Sequence, residues 1–372
     1  MLLSIVTFLI VFTVIILVHE MGHFLMARKA GIKVEEFGFG YPPRAFAKKI
    51  GKTVLSLNWL PFGGFVRLLG EDSKEGYKKK GKDYKEAFWY KSKKQRAIVI
   101  ISGVVANFLL AIVCFSIVYS FLGIPIDTNR VNIVGVLPET PAEVVGLKEN
   151  DIVLEIDDKK IEDLDHFIAL IDEKKGEEVT LLIAREGDNL SFKIEPRENP
   201  PEDEGSLGVI VTEIEIKKYP LWQMPFRGTV EGFKAAITLV GLVVSGLGNM
   251  LFNLFTQGQV PTGVAGPVGI MHMTGIVAHS GVIAVLQFTG LISVNLAIIN
   301  ILPFPALDGG RLVFIIYEAI TKRRPKASFE AWTNAAGMAL LIVLLVLVTV
   351  NDVKRIFISS DLFEKIKAIL PF

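Results

Sequence analysis

Apolar residues run without charge from Met1 to Val18, from Ala97 to Ile126 and from Ala331 to Asn351, and no Asp, Glu, Lys or Arg occurs within Ala235–Leu307. A bilayer-spanning helix needs about 20 predominantly apolar residues, so the first three runs each predict a membrane helix. The first has neither the basic start nor the small-x-small cleavage site of a secretory leader, and it reads as a permanent span. The fourth is too long for one helix, and Gly and Pro around Gln257–Gly281 break it. It holds two apolar segments, near Ile237–Phe255 and Val282–Leu302. Elsewhere the period changes to two. Thr53–Trp59 alternates as a strand does and ends in Pro61-Phe62-Gly63-Gly64, with Val34–Gly40 available to pair with it. Val134–Leu137, Asp151–Ile156, Val179–Arg185 and Leu190–Glu195 read as strands around a helix at Leu164–Lys174, a small α/β module.

Composition agrees with a membrane protein: 51% of the 372 residues are hydrophobic and only 21% charged. The net charge of +1 conceals a segregation that sets orientation. Arg28–Gln95 holds 17 basic against 7 acidic residues, whereas Gly123–Gly228 holds 12 against 24. Basic loops stay cytoplasmic, so 28–95 is expected inside and the acidic module outside. The cluster Lys322, Arg323, Arg324 and Lys326 is expected inside again. An odd number of crossings must then separate Gly228 from Asp308. With two apolar segments there, one is expected to lie in the interface or re-enter, and Glu231, Lys234 and the glycines favour the first for that role. Four spans result, with both ends outside. Cys114 is the sole cysteine, which excludes a disulfide framework, an iron–sulfur cluster and a Cys-rich zinc finger. Nothing in the charge pattern calls for nucleic acid.

The first apolar run ends in His19-Glu20-Met21-Gly22-His23. On a helix, H-E-x-x-H projects two imidazoles from one face to grip a metal ion, with the intervening Glu as general base. At about 1.5 Å per residue, His19 lies roughly 27 Å along the helix, at the cytoplasmic edge of the hydrocarbon. Ionisable groups at such depth are expensive and functional. Catalytic zinc takes three protein ligands and leaves a position for water. A third His at the spacing of the extended H-E-x-x-H-x-x-G-x-x-H motif would fall at Lys29. Glu35 and Glu36 are candidates for that ligand. Asp308 is the better one, as the first acid after 73 uncharged residues, in a segment Asn300–Gly310 that Pro303, Pro305, Gly309 and Gly310 break. His166, His272 and His279 are isolated and read as structural.

With these motifs, and with Phe37–Pro42, Leu60–Val66, Ser102–Phe108 and Gly266-Pro267-Val268-Gly269, nearly the whole chain resembles the site-2 protease family, in its bacterial regulator-of-sigma-E protease group of intramembrane zinc metalloproteases. His19-Glu20-x-x-His23 matches the zinc motif, and Asn300 through Gly310 matches N-x-x-P-x-P-x-L-D-G. Ser102–Phe108 is similar to a G-P-x-x-N-F helix, with Val104 where the family has proline and Asn107 retained. The resemblance implies one Zn2+ held by His19, His23 and Asp308, Glu20 as base, and Asn107 and Asn300 in transition-state or substrate positioning. Thr140–Asp151 resembles the PDZ domains of bacterial proteases, with Asn150-Asp151 where Gly-Asp is common. Such a domain either captures peptide ends by strand addition or screens the entrance against bulky ectodomains.

The expected fold class is therefore a multi-pass α-helical membrane protein of about four transmembrane helices, with a membrane-associated β-hairpin and one extracytoplasmic PDZ domain. Its expected divisions are a first span 1–27, a basic cytoplasmic loop with the hairpin 28–95, a second span 96–122 and a PDZ domain 127–215. An interfacial or re-entrant segment 216–281, spans 282–311 and 330–351, and an outer tail 352–372 follow. The implied partners are the lipid bilayer of the bacterial cytoplasmic membrane and single-pass substrates. These would be anti-sigma factors trimmed by another protease, or signal-peptide remnants. Val54, Leu55, Ser56 and Leu57 are expected to offer an unpaired strand edge to an unwound substrate; otherwise the hairpin only anchors the first helix. Two rival readings, a polar-lined transporter and an inactive PDZ scaffold, conflict with the intact metal motif.

Overall fold

The computed structural model describes residues 2–71, 84–201, 204–257 and 265–359. The outer part of the expected tail, 360–372, and residues 72–83 of the basic loop lie outside them. The chain forms two compact units, one taking it up to Ser120 and from Pro225 onward, the other Phe121–Met224.

Helix α1 (Leu2–Lys29) buries Val11, Ile15, His19 and Ala27. These residues are four or eight apart, so a single stripe meets protein. Leu2, Ile10, Val14 and Leu25 on the other faces stay exposed, as in a helix hydrophobic all round that meets lipid. Arg28 and Lys29 close it, where cations favour the negative end of the helix dipole.

Strands β1 (Val34–Ile50) and β2 (Thr53–Leu68) are long and fold back on themselves. The pairing corrects one expectation. Val54 lies opposite both Glu36 and Lys49, Leu55 opposite Phe37 and Lys48, Ser56 opposite Gly38 and Ala47, and Leu57 opposite Phe39 and Phe46. Val54–Leu57 are thus flanked on both sides and offer no free edge. Backbone donors and acceptors must be satisfied inside or near a bilayer, and the two ends of β1 satisfy them here. Among the described residues, the segment 64–68 pairs with residues 34–39 on one side only. Phe46, Leu57, Trp59 and Leu60 are exposed apolar side chains of the sheet.

Short 3-10 turns at Tyr84–Glu86 and Phe88–Tyr90 lead to α2 (Lys93–Leu122). It buries Arg96, Val99, Ile100, Gly103, Asn107, Ala111 and Cys114 at spacings of three and four, one continuous face.

The second unit is a six-stranded sheet of β3 (Ile124–Val136), β4 (Ile152–Ile156), β5 (Lys159–Lys160), β6 (Val179–Arg185), β7 (Asp188–Ile194) and β8 (Val209–Lys217). The order is β7-β6-β4-β3-β8, with β5 beside β4. Val179, Leu181 and Ile183 alternate into its core, the period of two that made the strand legible. Helix α3 (Pro141–Val145) and β8 were not anticipated; α4 (Leu164–Glu173) was. Asp163 caps α4 by accepting from His166 N at 2.7 Å, and Phe167, Leu170 and Ile171 bury its apolar side. Asp151, fully buried, accepts Arg185 Nε and Nη2 at 2.7 Å each and Lys148 N at 2.8 Å.

The remaining helices are α5 (Met224–Gln257), α6 (Pro267–His279), α7 (Val282–Ile301), α8 (Asp308–Thr321) and α9 (Ala327–Ser359). Gly228 packs on Ser120 and Gly232 on Ser116, so α5 runs antiparallel to α2. The segment expected to be interfacial therefore contains a helix of 34 residues. Among the described residues, five helices rather than four are long and apolar enough to cross a membrane, the fifth being Met224–Asn253. The last helix continues past residue 351, where a tail was expected to begin. Asp352 within it is buried and accepts Gly269 N–H at 2.7 Å. Glycine at 266 and 269 leaves room for that carboxylate.

Candidate metal centre

His19 and His23, one turn apart on α1, bring their Nε2 atoms to 3.1 Å of each other. Asp308 Oδ2 lies 3.2 Å from each. His23 Nδ1 donates to Val99 O at 2.8 Å, which fixes the tautomer and leaves Nε2 as a lone pair, as metal-binding histidines require. The contact depends on close approach of α1 and α2. A Cβ on Gly22 would lie 2.8 Å from the Ser102 carbonyl carbon, and one on Gly103 would lie 2.7 Å from Cε1 of both imidazoles. Small residues at such crossings let helix backbones meet.

Asp308 reaches this place because the chain cannot continue α7. Phe304 N–H donates to Leu302 O at 2.7 Å and Leu307 N–H to Phe304 O at 3.2 Å. Ala306 takes φ +74°, a left-handed conformation disfavoured for a residue with a Cβ, and its N–H donates to Asn334 Oδ1 of α9 at 3.3 Å. Asp308 then opens α8, in the first turn, where the helix dipole favours an anion.

A cavity of about 380 Å³ adjoins the three side chains and is lined by Glu20, Phe65, Arg67, Glu71 and Arg311 among others. Segment 64–68 thus borders the site, and Gly64 faces Glu20: its Cβ would sit 3.6 Å from Glu20 Cγ. Arg311 pairs with Glu71 at the cavity wall. Of the other candidates, Glu36 is committed to Arg44 and Arg67 instead of a metal. His272 and His279 are exposed on α6. Asn107 is fully buried, and among the described residues neither its Oδ1 nor its Nδ2 has a hydrogen-bond partner; its carbonyl accepts Ser293 Oγ at 2.8 Å. Asn300 is half-buried near the end of α7. Val99, Gly22, Gly103 and Asn334 were missed as site residues. Only the motif around Ser102–Phe108 hinted that α2 mattered.

The donor set fits zinc. Two imidazole nitrogens and a carboxylate oxygen converge, and among the described residues the buried Asp308 Oδ2 has no hydrogen-bond partner, an arrangement that a cation relieves. Among the described residues, His19, His23 and Asp308 form the sole group of three or more such side chains placed to hold an ion. The description Peptidase family M50 matches residues 7–344, which contain all three and Glu20. The chain belongs to peptidase family M50. Relatives match this M50 peptidase over nearly their full length. A putative zinc metalloprotease of Clostridium perfringens is 34% identical over 93% of this chain and 97% of its own. The zinc metalloprotease RasP of Geobacillus kaustophilus is 30% identical over 95% and 99%. The PDZ domain of an SdrC-like protein of Listeria monocytogenes is 23% identical with a TM-score of 0.21, covering 24% of this chain and 93% of that one. Its helices make this M50 member an integral membrane protein.

Proposed function

We propose that this M50 peptidase is an intramembrane zinc endopeptidase that cuts single-pass membrane proteins already shortened by another protease. The convergence of His19 and His23, beside Glu20 on a helix of membrane-spanning length, with Asp308 at the start of α8 carries the reading. His19, His23 and Asp308 would hold the ion. When bound, zinc supplies a Lewis acid for the scissile carbonyl and acidifies a water toward a pKa of about 7. Glu20, which lines the cavity, would serve as the base that takes a proton from the attacking water and returns it to the leaving amine. Val99 O keeps His23 in the tautomer that binds. The unspent amide of Asn107 supports a role in holding the substrate or its developing charge, and Asn300 is assigned the same role from its place in the motif.

A peptide bond in a helix is shielded by its neighbours, so the substrate must unwind. The edge of segment 64–68 borders the cavity and is the proposed place for an extended substrate to add as a strand. For topology, the basic segment 28–95 is cytoplasmic and Phe121–Met224, read as a PDZ domain, lies outside. Helix α5 runs inward. The chain between α5 and α7 returns outward, so that α7 runs inward to Asp308 and the odd parity that the charge pattern demands is kept. The membrane is the bacterial cytoplasmic membrane.

The test uses purified full-length protein in vesicles with a pre-trimmed single-pass substrate. Glu20→Gln is expected to abolish cleavage while keeping one zinc per chain; cleavage near the wild-type rate refutes the base. Asp308→Ala is expected to lose both. Zinc bound to Asp308→Ala as tightly as to wild type sends the search for the third ligand to Glu35. Removing the domain Phe121–Met224 should broaden substrate range if it screens, and abolish cutting if it captures.

A further inference from the structure

A second cavity, of about 670 Å³, opens between α8 and the start of α9, within the range of roughly 300–1,000 Å³ typical of small-molecule sites. Its walls are apolar: Pro303, Val313, Phe314, Tyr317 and Phe329. Phe314 and Phe329 meet edge to face with centroids 6.3 Å apart, and Tyr317 and Phe329 are exposed on their outer sides. The rim is the turn Lys322-Arg323-Arg324-Pro325-Lys326, of which Arg323, Arg324 and Lys326 line the cavity. Among the described residues, no carboxylate lines it. Arg324 Nε donates to Glu318 Oε1 at 3.2 Å, so part of that cation is spent within the protein. Arg323 and Lys326 form no ion pair among the described residues.

An apolar slot ending in two uncommitted cations, at the end of a membrane helix, complements a molecule with a hydrocarbon chain and an anionic head. Basic pockets between helices on the cytoplasmic side bind anionic lipid head groups by this logic. The cavity also touches the catalytic turn. Pro303, Pro305 and Gly310 line it, and they flank Asp308. Gly337 of α9 packs so closely on Pro305 that an added Cβ would meet its carbonyl carbon at 2.8 Å. Whatever fills the slot therefore presses on the segment that carries the third metal ligand.

We infer that this cavity binds one anionic glycerophospholipid, with its phosphate between Arg323 and Lys326 and an acyl chain along Phe314, Tyr317 and Phe329, and that occupancy steadies the Asp308 turn. The site rests on the topology proposed above, which sets the Lys322–Lys326 turn at the cytoplasmic leaflet.

The experiment reconstitutes the full chain into vesicles of phosphatidylcholine alone, or of phosphatidylcholine with an equal share of phosphatidylglycerol. Lipid retained per chain after mild detergent extraction is measured by mass spectrometry, and turnover is measured in the same vesicles at saturating zinc. Wild type should retain close to one phosphatidylglycerol and turn over faster where it is present. Each neutralised cation should cost about fivefold, so Arg323→Gln/Lys326→Gln should retain roughly 25-fold less, and its turnover should fall to the phosphatidylcholine level. Phe329→Ala keeps the charges and should weaken retention through the chain. Inorganic phosphate added to phosphatidylcholine vesicles should not raise turnover; an increase would assign the rim to a free anion and overturn the lipid. Retention that ignores head-group charge, or that the substrate displaces in proportion to its own binding, also overturns it. Retention is read without turnover. Selective retention in a protein that cuts nothing would thus refute the protease reading and keep the lipid, whereas cutting without selectivity would do the reverse.

Discussion

Gly103→Ala separates helix stability from metal binding, because the two should move in opposite directions. Alanine is the better helix former by about 1 kcal/mol, so α2 itself gains. The added Cβ, however, would stand 2.7 Å from Cε1 of His19 and of His23, where ordinary contacts begin at 3.4 Å. The imidazoles or the helix must give way by several tenths of an ångström. Metal sites tolerate about 0.2 Å in ligand distance. Moving α2 away instead would stretch the 2.8 Å bond from His23 Nδ1 to Val99 O, and losses of that kind cost 10–100-fold in metal affinity. The expected result is zinc affinity lowered at least tenfold and turnover lowered with it, in a chain that is helical and elutes as wild type does. Competition against a chromophoric chelator in detergent gives the affinity, and cleavage at limiting zinc gives the activity. Wild-type affinity in Gly103→Ala would show that α2 does not bound the metal site.

The buried pair Arg96–Glu318, at 2.6 Å, gives a second test. Glu318→Ala takes the hydrogen-bonded partner from the buried Arg96 and should cost about 3–5 kcal/mol, read as a drop in thermal midpoint in detergent; an unchanged midpoint refutes the burial. Burial pushes the Glu318 carboxyl up, but the hydrogen bond and charge of Arg96, joined by Arg324, outweigh it and hold the group below the usual carboxylate range. Its stabilisation is therefore complete above that range and is lost as pH falls through the lowered folded value. Melting curves should be flat near neutrality and decline in acid, and the slope should vanish in Glu318→Ala. In the other unit, Arg185→Ala leaves the fully buried Asp151 without its bidentate partner. Hydrogen exchange in β4 and β6 should accelerate by an amount equivalent to about 3 kcal/mol, with exchange in α1 unchanged.

Much of the site was legible because it is local. The His19–His23 pair depends only on helix geometry, and the alternation of Val179, Leu181 and Ile183 depends only on strand geometry. Asp308 stood out because carboxylates are costly in apolar surroundings, and a long silence in charge makes the first acid after it conspicuous. Neighbours across space were not legible. Nothing local reveals that Val54–Leu57 is flanked twice, since β1 supplies both partners from positions seven to thirteen residues apart. Nor did local pattern reveal Asp352, whose polarity ended an apolar run and so read as the start of a tail. Its acceptor role needs the N–H of Gly269, 83 residues away in sequence. The same holds for Gly103, a glycine among many until the imidazoles of α1 are placed against it. Periodicity and residue chemistry fix what each segment can do. Which backbone groups and carboxylates meet is fixed only when the helices pack, because hydrogen bonds and ligand sets close over a few ångströms of space rather than along the chain.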